Sequence, residues 1–180
     1  NGIGRFSVVT SGRALSEPDL ENLCKSYKIL REKTGLSLCA SCGLLKYDDF
    51  VKLKESGVSR YHNNLETSRR YFSEVCTTHT YDEKIAAVKD AQRAGLTVCS
   101  GGIMGLGETM EDRIDMAFEL RSLGIKSVPI NFLTPIPGTP LEKMPHISEE
   151  EAMVIVSLYR FILPDSFIRL AGGRSLMKDR

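Results

Sequence analysis

The order helix, glycine, strand recurs along most of this chain and restricts its fold more than any other feature. Ser16 precedes Pro18 and Asp19, while Thr80, Thr109 and Ser148 each stand three residues before an acidic residue (Glu83, Asp112 and Glu151). Each is a capping-box-like helix start, in which a side-chain oxygen satisfies orphan backbone N–H groups. Gly35, Gly57, Gly95 and Gly124 stand where those helices are expected to stop, because glycine enters the left-handed cap without a Cβ penalty. β-rich runs begin at Phe6, Leu36, Val58, Leu96, Ser127 and Phe167, and most of them follow such a glycine closely. Strands spaced this way between helices predict βα units and a parallel sheet.

The helical runs carry their apolar residues at a period of 3.6. Leu20, Leu23, Tyr27 and Leu30 form one stripe, Ile85, Val88 and Ala91 a second, Ile114, Ala117 and Leu120 a third, and Ile155, Leu158 and Ile162 a fourth. These stripes are read as helices packing on a sheet, with no functional role. Strands and helices in this order suit either a doubly wound sheet or most of a β/α barrel. A full barrel typically takes about 250 residues, and the chain has 180, so a barrel here is expected to be incomplete. In both architectures ligands belong at the C-terminal ends of the strands.

Composition excludes several classes of function. Lys and Arg total 24 against 23 for Asp and Glu, a net charge of +1. Nothing in that balance favours a nucleic-acid backbone as partner. No apolar run approaches the ~20 residues of a membrane helix. The start Asn-Gly-Ile-Gly-Arg has neither an initiator Met nor a signal peptide, so a fragment is expected. The 5 cysteines are odd in number. Reduced thiols in the cytoplasm, with metal ligation as an option, fit them better than a disulfide framework.

Chemistry concentrates at the predicted strand ends. Cys39 ends the second strand, with Cys42 at CxxC spacing; Cys99 ends the fourth; Cys76 lies in the connection after the third. CxxC alone suits a redox pair, a zinc half-site or coincidence. Four thiols on one predicted face of a parallel sheet suit zinc or an iron–sulfur centre better. A buried cysteine can also be a small hydrophobe, which is the reading for Cys24 on the apolar side of its helix. Cys99 to Thr109 is a glycine-rich join from a strand to a capped helix, able to bring backbone close to a ligand. Its spacing is neither a Walker loop nor a dinucleotide fingerprint. Tyr61 to Ser68 gathers amide, imidazole and carboxylate groups suited to hydroxyls and ureido-type groups; a solvated loop is the plainer alternative. Asn131 and Arg169 sit among apolar neighbours, where an amide or a charge needs a partner or a ligand.

Taken together, these stretches resemble biotin synthase, a family of radical S-adenosylmethionine (SAM) enzymes. The matching segments are Arg5-Phe6-Ser7, Tyr61 to Ser68, Thr77 to Tyr81, Cys99 to Thr109, Val128 to Leu133, Gly138 to Leu141 and Ile168 to Arg174. Gly101-x-Ile103-x-Gly105-x-x-Glu108 is also similar to a SAM-contacting motif of radical SAM enzymes. The resemblance implies an α/β fold: an incomplete (β/α) TIM-type barrel of about six parallel strands with outer helices. It implies a single domain over residues 1–180, truncated at both ends. It implies sulfur insertion into dethiobiotin to give biotin, with SAM and a 4Fe–4S cluster generating the radical and an auxiliary iron–sulfur cluster, 2Fe–2S or a larger variant, donating sulfur. A homodimer and an electron donor such as flavodoxin or ferredoxin come with it.

The resemblance also implies residue roles. Cys39 and Cys99 match auxiliary-cluster cysteines, and Arg169 the arginine ligand of that cluster, which makes Cys99 and Arg169 the candidate catalytic pair. Asn64 and Glu66 match groups that hold the SAM ribose, with Gly101, Ile103 and Gly105 completing the cofactor site. Asn131 and His62 are the candidate dethiobiotin contacts, although His62-Asn63 inverts the usual order. Ser7 falls where the family has a third auxiliary cysteine, and Cys42 and Cys76 are additional. A variant cluster held by Cys39, Cys42, Cys76 and Cys99 is therefore expected. CxxxCxxC, which binds the SAM-cleaving cluster, is absent from these residues, so this piece alone is expected not to cleave SAM. A related radical SAM enzyme and a non-catalytic thiolate metal-binding module are the alternatives.

Overall fold

Helix and strand propensities along this chain resolve into two compact units, one of residues 1–63 with 82–99 and one of residues 64–81 with 100–180. The computed structural model describes residues 2–174. Residue 1 and residues 175–180, the ends of the expected single domain, lie outside the described residues.

In the first unit four strands run parallel: β1 (Arg5–Val9), β2 (Ser37–Ser41), β3 (Val58–His62) and β4 (Thr97–Cys99). Helices α1 (Glu17–Lys33), α2 (Tyr47–Glu55) and α4 (Tyr81–Arg93) connect them. Ser16 caps α1, its hydroxyl accepting from the Asp19 N–H. Gly57 and Gly95 stop α2 and α4 with φ of +106° and +81°. Gly35 is not left-handed; α1 ends instead at extended Thr34, whose hydroxyl donates to the Leu30 carbonyl. Helix α2 was announced only by its stop at Gly57, with no stripe or N-terminal cap read for it. It starts at Lys46, a residue with no capping preference, where Asp49 accepts the Lys46 N–H. Leu20, Tyr27, Phe50, Leu53, Val88 and Ala91 on the helices are buried, as are Leu38, Ala40, Val58 and Tyr61 on the strands. Strand pairing places Ser7 opposite Cys39, Cys39 opposite Arg60 and His62 opposite Cys99. Because side chains alternate along a strand, these residues share one face, while Ala40 and Tyr61 share the other.

The second unit holds β5 (Gly102–Met104), β6 (Ser127–Phe132) and β7 (Phe167–Leu170), also parallel, with the short helix α3 (Phe72–Val75), α5 (Met110–Ser122) and α6 (Glu149–Ile162). Thr109 and Ser148 cap α5 and α6 as expected, accepting from the Asp112 and Glu151 N–H groups. β5 was read from sequence as loop. Three residues of a glycine-rich run are extended here because β6 supplies their partners: Gly102 pairs with Ile130 and Met104 with Phe132. Among the described residues no helix is long and apolar enough to cross a membrane.

Candidate functional site

The first unit carries three of the four candidate cluster cysteines. Cys39 and Cys99 are 5% and 2% exposed and stand on the same face of the sheet, on β2 and β4 with β3 between them. Burial pushes the Cys39 thiol up, the neighbouring Ser7 hydroxyl opposes that, and Cys99 raises it further. Two thiols so placed do not both ionise unless a cation compensates them. This is the chemistry an iron centre supplies, and binding it releases their protons. Cys39 and Cys99 therefore fit two ligands of an iron–sulfur cluster. Cys42, 1% exposed, is also pushed up by burial and lies beside the Thr10 hydroxyl. Among the described residues, no three His, Cys, Asp or Glu side chains are already gathered around one point. Among the described residues no disulfide joins any of the five cysteines.

Two tyrosines hold the backbone that carries Cys39 and Cys42. The Tyr27 hydroxyl donates to the Cys39 carbonyl at 2.7 Å. The Tyr61 hydroxyl donates to the Gly43 carbonyl at 2.7 Å and accepts from the Cys42 N–H at 3.0 Å. On the same strand His62 is half-buried and faces with Cys99. Asn63 is buried; its Oδ1 accepts from Lys84 Nζ at 3.0 Å, while its Nδ2 has no partner.

The second unit carries the candidate SAM residues. Asn64 Oδ1 accepts from the Gly101 N–H at 3.1 Å, and the Gly101 carbonyl accepts from the Leu65 and Glu66 N–H groups. The Ile103 N–H donates back to the Glu66 carbonyl at 2.8 Å. Glu66 is the only non-glycine residue with positive φ among the described residues, at 73°. A left-handed non-glycine residue costs about 1–3 kcal/mol and persists only where its surroundings over-determine it. The backbone bonds on either side of Glu66 do so here. A Cβ on Gly101 would fall 1.9 Å from the Pro129 carbonyl oxygen, so the strand end admits glycine alone. Beyond it the Gly105 N–H donates to Glu108 Oε1 at 2.8 Å. Glu108 is buried against Arg113 Nε at 2.6 Å; Arg113 reaches on to Glu151, and Tyr159 donates to the Arg113 carbonyl. Burial disfavours the Arg113 charge, but Glu151 and Glu108 outweigh it and keep the guanidinium protonated.

Asp112 fastens the start of α5. Its carboxylate accepts from Ser68 Oγ at 2.6 Å, from Thr109 and from Arg70. Burial would raise its pKa, but these donors outweigh it and hold it at about 2.

The structure places three further expected residues. Asn131, expected to need a buried partner or a ligand, is half-buried and finds its partners in backbone, Nδ2 donating to the Gly102 carbonyl and Oδ1 accepting from the Gly172 N–H. Arg169 is exposed on β7, not enclosed by apolar neighbours, because its strand alternates outward at that register. Cys76 belongs to the second unit, where its thiol lies 3.4 Å from His79 Nδ1 and 3.5 Å from the Thr78 hydroxyl. From the sequence Tyr27 was read only as a stripe residue, Asp112 only as a helix-start acid and Tyr61 only as the start of its polar segment, since ordinary core and cap residues carry no spacing that marks a further role. Glu108 was quoted only within its motif, and the Gly105-x-x-Glu108 spacing was the available signal.

Residues 1–120 match the radical SAM superfamily, and residues 129–180 match the Biotin and Thiamin Synthesis associated domain. A biotin synthase of Clostridium botulinum strain Hall is 60% identical over 179 residues, covering 99% of this chain and 56% of the relative. One of Akkermansia muciniphila is 61% identical over 178 residues, covering 99% and 56%. The chain thus spans about half the length of the curated relatives it matches. Among solved structures, methylornithine synthase superposes with a TM-score of 0.74 at 24% identity, covering 86% of this chain and 48% of that one. An FeFe-hydrogenase maturase from Carboxydothermus hydrogenoformans gives 0.78 at 20%, covering 96% and 44%. At such identities these two establish the fold alone, the parallel β/α arrangement expected from the sequence.

Proposed function

Because this chain belongs to the radical SAM superfamily, we propose that it is the portion of a biotin synthase that inserts sulfur into dethiobiotin. The observation that carries this reading is the pair of buried thiols, Cys39 and Cys99, on one face of a parallel sheet with β3 between their strands. Identity of about 60% to biotin synthases along the whole chain supports the choice of substrate. Cys39, Cys42, Cys76 and Cys99 are the proposed thiolates of the auxiliary cluster, and Cys99 and Arg169 the proposed catalytic residues. When bound, SAM and its 4Fe–4S cluster supply the radical and the auxiliary cluster supplies sulfur.

The chain's own residues do the binding and orienting. Asn64 and Glu66 meet the SAM ribose, and the Gly101, Ile103 and Gly105 backbone lines its path. The strand end is pre-shaped for that task, since the bonds between Asn64–Glu66 and Gly101–Ile103 fix it without a ligand. Asn131 and His62 are the proposed dethiobiotin contacts; Asn131 keeps one amide hydrogen beyond its bond to Gly102. Burial of Cys39, Cys42 and Cys99 suits thiolates that hold a cluster away from bulk water. The enzyme works in the reducing cytoplasm as a homodimer, with flavodoxin or ferredoxin as electron donor.

The full-length protein, reconstituted anaerobically with iron and sulfide and given SAM, dethiobiotin and reductant, is expected to form biotin by mass spectrometry. Cys39→Ala and Cys99→Ala are expected to abolish it while 5′-deoxyadenosine still forms. Biotin formation by either variant at the wild-type level overturns the assignment. Cys42→Ala and Cys76→Ala are expected to lower the iron and sulfide content; unchanged content removes those two from the ligand set.

A further inference from the structure

We propose that Tyr61 and Tyr27 are positioning residues for the Cys39–Cys42 turn, their hydroxyls setting where its two thiols are held. The inference rests on the proposed reading of Cys39 and Cys42 as cluster thiolates. Strand β2 ends at Ser41, so the peptide groups of Cys42 and Gly43 have left the sheet ladder. Buried backbone groups of that kind must find partners elsewhere. One phenol oxygen serves both: Tyr61 accepts from the Cys42 N–H and donates to the Gly43 carbonyl. Its donor and an acceptor lone pair are thereby used, and a phenylalanine of the same shape could supply neither. Tyr27 holds the other end through the Cys39 carbonyl. Both tyrosines are fully buried. The Tyr61 ring is itself braced edge-on by Phe50, with centroids 4.7 Å apart.

The rest of the turn is equally constrained. The Ser41 carbonyl accepts from the Thr10 N–H, and the Leu44 N–H donates to the Arg13 carbonyl at 2.7 Å. Gly43 takes a φ of +76°, and a Cβ there would meet the Arg13 carbonyl oxygen at 2.1 Å. Residues on both sides of Cys42 are therefore fastened by groups from the segment after β1, from α1 and from β3. A tyrosine used only to fill the core would need one hydroxyl partner from anywhere. Two tyrosines from different elements converge instead on the backbone of a single CxxC turn.

The test uses the full-length protein, reconstituted anaerobically. Tyr61→Phe keeps the ring and its contact with Phe50 and removes only the oxygen. Resistance of the auxiliary cluster to chelator, read as iron and sulfide retained, is expected to fall about tenfold, the scale seen when an outer partner of a metal ligand is lost. Its Mössbauer signal is expected to shift, with the SAM-cleaving cluster unchanged. Tyr159→Phe is the control: it removes a buried tyrosine hydroxyl bonded at 2.9 Å to the Arg113 carbonyl, in the other unit. It is expected to lose comparable stability and leave the auxiliary signal alone. A Tyr61→Phe protein with wild-type chelator resistance and spectrum overturns the proposal. Cys42→Ala discriminates between the two readings. If it leaves the cluster untouched, Cys42 is not a ligand and the proposal for the turn's two thiols is overturned, while the reading of Cys39 and Cys99 stands. If it alters the cluster while Tyr61→Phe does not, only the positioning role fails. Should Tyr61→Phe fail to accumulate, Tyr27→Phe is read by the same measurements at Cys39.

Discussion

The Cys39–Leu44 turn and the Gly101–Glu108 loop both leave the end of a parallel strand, and they are held by opposite means. In the first, large side chains reach in: two tyrosine hydroxyls bond the backbone around buried thiols. In the second, side chains are absent where the backbone closes up. Gly101 abuts Pro129, the Asn64 amide and the Glu66 peptide fill the gap, and one buried carboxylate, Glu108, pins Gly105. A turn that presents side-chain ligands needs its backbone fastened from outside. A loop that presents backbone needs its side chains removed.

The strongest way to break that contrast lies in the second unit. Arg113→Met leaves Glu108 buried without its cation, and about 3–5 kcal/mol of stability is expected to go, read by urea unfolding. Adding Glu108→Gln to that variant is expected to restore part of it, because the stranded charge is then gone. Gly101→Ala follows at about 3 kcal/mol, since a methyl group cannot fit against a backbone carbonyl. Circular dichroism and SAM binding report it together.

Asp112→Asn is smaller, about 1–2 kcal/mol near neutral pH. Asp112 titrates at about 2 when folded, below the unfolded value near 3.9. Its contribution is therefore present above about pH 4 and disappears as pH falls towards 2. The substitution is expected to flatten the acid limb of the stability curve in that window, and an unaltered limb would remove Asp112 as its cause. Smallest are Tyr61→Phe and Tyr159→Phe, about 1 kcal/mol each by the usual net value of one hydrogen bond. Equal losses in thermal or urea unfolding would sharpen the comparison, because any difference in cluster behaviour then belongs to the position and not to the chemistry deleted.

Much of the scaffold was legible. The caps at Ser16, Thr109 and Ser148 and the strands starting near Phe6, Val58 and Ser127 follow from local rules, side-chain oxygen before a helix and β-branched or aromatic runs within strands. β5 was not legible because Gly102-Ile103-Met104 has little strand propensity of its own and is extended by its pairing with β6. Helix α2 lacked a capping residue at Lys46 and is held by burial of Phe50 and Leu53. At the site, the cysteine spacing and the glycine motif could be read directly. The exposure of Arg169 and the backbone bonds that occupy Asn131 could not, since each depends on the register of a neighbouring strand or segment.

Residue identity alone determined the alternation of helix and strand, the supply of soft sulfur ligands and the glycines at one strand end, because capping, periodicity and steric size act within a few neighbouring positions. Tertiary structure alone decided that Cys39 and Cys99 share one face of the sheet, that Glu66 is left-handed, and that Tyr27 and Tyr61 grip a turn 12 and 18–19 residues away in sequence. Those outcomes depend on strand register and on where buried polar groups find partners, which no local pattern encodes.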